Sequence, residues 1–111
     1  MAVFVSNIVV YTHTDFEQVY VLENQDGNDR LDLTGYSGTS QYRRYPGATP
    51  SDFTVNFTNR ALGKVKISLS DTETAGITPG KYFFDLKLTR PDGTKIRVVE
   101  GQMTVKKTIT R

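Results

Sequence analysis

Histidine occurs once in this chain, at His13 in the run THTD, with Asp15 two residues on. An imidazole beside a carboxylate is the base half of a nucleophilic triad, and it works only if the fold brings a hydroxyl against it. Serine and threonine are too common here to single one out, and a polar turn explains the same four letters. Zinc wants several histidine or cysteine ligands, and the chain has no cysteine at all. That absence also removes thiol nucleophiles and disulfides. The acidic pairs Asp26/Asp29 and Asp71/Glu73 remain as oxygen donors or as an acid–base couple. A calcium loop needs more oxygens at tight spacing than Asp26, Asn28 and Asp29 supply, and turn chemistry accounts for these letters equally. Carboxylate pairs of the kind that cleave glycosides are defined by a separation that only a fold reveals. Gly63-Lys64 lacks the upstream glycine of a phosphate-binding loop. The expectation is a protein without enzymatic activity, metal or cofactor.

The most distinctive polar cluster is SQYRRYPG, residues 40–47, where Tyr42 and Tyr45 enclose Arg43 and Arg44. Tyrosine and arginine together are the composition of an interface anchor. They also suit a platform on which a sugar or base stacks. The bland alternative is a strand with its arginines on a solvated face, but Tyr42 and Tyr45 differ in parity, so one ring is expected outside. A second contact candidate is the tail TVKKTITR, basic through Lys106, Lys107 and Arg111 and readable as an extended arm over 106–111.

These groups must be positioned by strands, because period two dominates and no helical period is sustained. VFVSNIVVYT (3–12) is apolar on both faces with a polar step at Ser6-Asn7, and it is a further contact candidate. FEQVYVLE (16–23) puts Phe16, Tyr20 and Leu22 on one side and Val19 and Val21 on the other. The Asp26-Gly27 pair reads as a hairpin-type turn. Strands follow over 37–45, 52–59 and 64–71, separated by the loop PGATPSD and the short turn NRALG. Asp71 or Thr72 is placed to cap one helical turn, with Gly76 stopping it. KYFFDLKLT (81–89) turns Tyr82, Phe84, Leu86 and Leu88 inward and Phe83, Asp85 and Lys87 outward. Pro91-Asp92-Gly93 then makes it a hairpin with 94–106. In that last strand the apolar parity switches after Val98, which predicts a β-bulge between Val98 and Gly101, with Glu100-Gly101 its natural seat.

Ile77-Thr78-Pro79-Gly80-Lys81-Tyr82 has the spacing of a tyrosine corner, in which the hydroxyl bonds back to backbone a few residues upstream. About seven to eight short strands with regular turns make an antiparallel sandwich the leading fold and a barrel the second. The 111 residues fit one domain over 1–111. With 14 basic and 12 acidic residues the net charge is only +2, which gives no general drive toward nucleic acid or an anionic membrane. The N-terminal run lacks the basic start and cleavage site of a signal peptide, so synthesis and folding in the cytoplasm are expected.

Read as one pattern, residues 64–111 resemble small immunoglobulin-like virion proteins of tailed bacteriophages. The match runs through Thr74, Ala75, Ile77, Pro79, Gly80, Lys81, Tyr82, Phe84, Asp85 and Leu86. It continues with Gly93, Glu100, Gly101, Val105 and the closing Ile109-Thr110-Arg111. The first half agrees more loosely, through Asp15-Phe16, Leu33-Thr34-Gly35-Tyr36 and Arg43. The chain is similar to the N-terminal domain of phage upper baseplate proteins and to cyanophage-type structural proteins. The resemblance implies an immunoglobulin-like antiparallel β-sandwich, a virion location, and other virion proteins as partners in a symmetric multi-copy assembly. Tail, neck, baseplate or capsid decoration are the addresses it offers. The rival expectation is a module that binds a surface glycan through Tyr42 and Tyr45.

Overall fold

The computed structural model describes residues 4–22, 32–45 and 47–109. The Asp26/Asp29 turn, Pro46 and Arg111 therefore lie outside the described residues. The fold is all-β, and the described residues form eight strands and two short helical turns. In chain order these are β1 (Phe4–Val5), β2 (Ile8–Tyr11), β3 (Phe16–Val21), β4 (Ser37–Arg43) and β5 (Ser51–Asn59). A 3-10 turn (Arg60–Leu62), β6 (Lys64–Leu69), α1 (Asp71–Ala75), β7 (Gly80–Thr89) and β8 (Lys95–Lys106) follow.

The strands lie in the order β1-β8-β7-β4-β5-β6-β3, with β2 also on β8. β5 joins the two arms of this curled sheet. Its first residues, Ser51 to Phe53, pair with β4, and Thr54 to Asn59 pair with β6. Alternation places the core between the arms: Leu86 and Leu88 of β7, Met103 and Val105 of β8, and Val65 and Ile67 of β6 are all almost wholly buried. Each contributes about 1.5–3 kcal/mol by leaving water. Phe53, on the crossing strand, touches Phe16, Tyr42 and Phe84.

Several expectations need correction. Pairing is mixed, because β1 and β2 run parallel to β8, Val9 opposite Thr104 and Tyr11 opposite Lys106. Lys106 is thus a ladder residue and not the start of a free arm. Thr108 is also held, its N–H donating to the Thr12 hydroxyl. The expected bulge exists two residues before its natural seat: Leu86 pairs with Val99 and Lys87 with Arg97, leaving Val98 as the extra residue. Val98 and Val99 are both buried, so the two-residue parity switch occurs where both side chains are wanted inside. Glu100 and Gly101 pair regularly with Asp85 and Phe84.

Gly101 has another task. A Cβ there would lie 1.6 Å from the Ser6 carbonyl oxygen. The polar step at Ser6-Asn7 crosses over this glycine, donating from Ser6 N to the Glu100 carbonyl and accepting from Gln102 N at Asn7 Oδ1. The cap of α1 is Ser70 rather than Asp71 or Thr72. Its hydroxyl accepts from Glu73 N, and the Glu73 carboxylate accepts from Ser70 N. Both orphan donors of the helix start are thereby satisfied.

Candidate interaction surface

Of the residues singled out for catalysis, Asp15, Asp71 and Glu73 accept hydrogen bonds from backbone N–H groups, and Asp26 and Asp29 lie outside the described residues. His13 sits in an exposed turn at φ 62. Its neighbours tie that turn to α1, where the buried Thr74 hydroxyl donates to the Thr14 carbonyl and accepts from Thr14 N, and Asp15 accepts from Asp71 N. Asp71 and Glu73 accept from backbone N–H groups of their own helix start. Among the described residues no three histidine or acidic side chains are grouped to hold a metal ion.

The tyrosine–arginine segment does not form one surface. Tyr42 is 9% exposed, edge-on to Phe53 and Tyr82, and burial pushes its phenol pKa up. It is a core residue and is unavailable to a sugar or a neighbour, so the stacking pair with Tyr45 is not formed. Parity decides this: Tyr42 continues the inward register of β4, and Tyr45 lies beyond the strand at 60% exposure. Arg43 borders the outer face of β4.

Arg44 is committed to the turn below. The Tyr82 hydroxyl donates to the Thr78 carbonyl at 2.6 Å, and Arg44 Nη1 donates to the same hydroxyl at 3.2 Å. The guanidinium also lies over the Tyr82 ring, 5.2 Å from its centre. Gly80 permits this approach: at φ 146 it has no side chain, and a Cβ would meet the guanidinium at 2.7 Å. Pro79, Gly80 and Tyr82 form a corner that Arg44 clamps from outside. Lys106 and Lys107 are exposed.

What remains open is the outer face of β1, β8, β7 and β4. An open trough of about 930 Å³ runs across it. The pairing register orders its side chains in rows across the strands. Gln41, Asp85, Glu100 and Val5 form one row, and Thr39, Lys87 and Arg97 the next. Arg43, Phe83 and Gln102 lie on the far side of the first row, and Ser37, Thr89 and Lys95 on the far side of the second. The bulge at Val98 is what lets Arg97 and Glu100, three apart, share this face, where they approach to 3.6 Å.

Apolar side chains interrupt the polar face. Phe83 is 52% exposed, Val5 68%, and Val9 and Tyr11 are nearly half exposed on the same side of the edge strands. Sequence reasoning saw Phe83, Asp85 and Lys87 pointing outward. It did not see that β1 and β2 extend the same face, because their parallel pairing with β8 spans almost the whole chain.

No family model matches the chain, and no curated protein does. A solved structure of a family 123 glycoside hydrolase from Clostridium perfringens aligns over 100% of this chain, with a TM-score of 0.46 and 10% identity. The chain spans 24% of that protein's length.

Proposed function

We propose that this chain is a non-enzymatic structural part of a tailed-phage particle, an immunoglobulin-like β-sandwich that acts by docking other virion proteins in a symmetric multi-copy array. The observation that carries the docking reading is the outer face itself. Phe83 and Val5 are more than half exposed and Val9 and Tyr11 nearly half exposed on one side of β7, β1 and β2, where a merely solvated sheet would carry polar groups. An aromatic anchor within a polar rim is the usual composition of such contacts. The outer edge of β2, which pairs only with β8 among the described residues, adds to this. It is apolar and uncharged, and such an edge is normally covered by a neighbour or guarded by charge. The choice of a phage particle comes from the residue pattern of 64–111.

The test is incorporation. Particles assembled with a Phe83→Asp, Val9→Asp chain, itself folded as judged by circular dichroism, should lose the domain from purified virions. Incorporation of this variant at the normal level, or purified particles that never contain the chain, would overturn the reading.

A further inference from the structure

We infer that the outer face of β7 and β8 is self-complementary and pairs with the same face of a second copy of this chain. The inference rests on the docking reading above and names its partner. Two like-charge pairs lie directly across the strands: Asp85 is opposite Glu100, and Lys87 is opposite Arg97. Like charges in facing positions repel, and each pair works against the isolated sheet. The Arg97–Glu100 contact along β8 relieves only part of this, at 3.6 Å with both side chains about half exposed. Exchanging the residues at 85 and 87 would remove both repulsions with the same composition. The arrangement therefore sacrifices stability in the single chain, and a partner with the opposite rows restores it.

The chain itself carries those rows. A two-fold axis lying in the face, running across the strands between the acidic and basic rows, turns each row of one copy onto the other row of its mate. β7 then faces β7, and β8 faces β8. Asp85 meets Lys87 of the second copy, and Glu100 meets Arg97 of the second copy. Phe83 meets Thr89, and Gln102 meets Lys95. Each contact occurs twice, as an isologous interface requires. Twisted sheets packed this way lie about 10 Å apart, a gap that the side chains of the trough fill.

Sedimentation equilibrium and native mass spectrometry of the whole chain test this. Wild type should dimerise with increasing concentration. Association should weaken with salt, as the Debye length falls from ~10 Å at 0.1 M to ~3 Å at 1 M. Asp85→Lys and Lys87→Asp each convert the two β7 contacts to repulsion, and each alone should associate more than about tenfold more weakly. Both variants relieve a like-charge pair within the chain, so both should unfold no earlier than wild type. Mixed in equal amounts, the two variants should form a heterodimer, because Lys at 85 of one then faces Asp at 87 of the other. A wild type that stays monomeric, single variants that dimerise normally, or a mixture that fails to pair would each overturn the inference. Incorporation into particles is measured separately, so it stands or falls independently of these outcomes.

Discussion

Replacing Gly101 by alanine introduces a single methyl group into the place where the β1–β2 step crosses β8. That Cβ would sit 1.6 Å from the Ser6 carbonyl oxygen and 2.7 Å from the Ser6 carbonyl carbon. Ordinary contacts require ~3.5 Å, so the crossing chain must move by roughly 2 Å. The atoms in the way are backbone, and no rotamer change avoids them. A shift of that size breaks Ser6 N to Glu100 O (2.9 Å), Gln102 N to Asn7 Oδ1 (3.2 Å) and the Tyr20 hydroxyl to Ser6 Oγ (3.1 Å). At about 1 kcal/mol for each hydrogen bond, the expected loss is ~3 kcal/mol. Exposure of Ile8 and Val10 would increase it if β2 leaves β8 altogether.

For a chain of this length, that loss lowers the melting temperature by roughly 12 °C. Urea unfolding gives the free energy, and amide exchange at Gln102 locates the damage. Gly76→Ala is the control, because its φ of −87 suits any residue and the nearest atom to a Cβ is 3.7 Å away. It should be neutral or slightly stabilising, by up to ~1 kcal/mol. A Gly101→Ala variant within ~0.5 kcal/mol of wild type would refute the crossing as the reason for this glycine.

Three further outcomes are expected. Tyr82→Phe keeps the ring and loses the bonds to Thr78 and Arg44; it should cost ~1–2 kcal/mol in urea unfolding, and the additional effect of Arg44→Ala should be smaller in this background than in wild type. Tyr42→Ala should cost ~3–5 kcal/mol as a core truncation, whereas Tyr45→Ala should change stability by less than ~0.5 kcal/mol; equal effects would contradict their placement. Asp92 accepts from Thr94 N in the β7–β8 turn, and that N–H first, then the Thr94 hydroxyl, holds its carboxyl below the ordinary range. A depressed folded-state pKa contributes stability above the unfolded value near 4, and the contribution disappears as pH falls through the folded one. Asp92→Asn should therefore be less stable than wild type at pH 7, with the gap narrowing as pH falls below the ordinary carboxylate range, as read by thermal melts; a gap independent of pH would refute the carboxylate's role.

Much of the fold was legible because strand alternation is a local property. Phe84, Leu86 and Leu88 announce an inward face, and Pro91-Asp92-Gly93 announces the return, with no knowledge of partners. The spacing from Thr78 to Tyr82 is likewise short-range, since a corner closes on backbone four residues away. The parity switch near Val98 was visible in the letters. Its location was not, because whether Val98, Val99 or Glu100 is the extra residue depends on which of them faces Leu86 and Lys87. The same limit applied to SQYRRYPG: parity said that Tyr42 and Tyr45 diverge, but which one enters the core is decided by Phe53 and Tyr82.

By itself, then, the sequence determined that this is an all-β chain, which residues of β6 and β7 alternate inward, and where the Pro91-Asp92-Gly93 turn falls. Only the tertiary structure decided that β1 and β2 lie parallel on β8, that β5 belongs to both arms of the sheet, and that acidic and basic residues form separate rows on one open face. The reason is distance along the chain. Side-chain direction repeats every two residues and is encoded by neighbours, whereas register joins segments from opposite ends of the chain, as Tyr11 and Lys106 are. Such contacts form only when the whole core closes, so the surface they create cannot be read from any one segment.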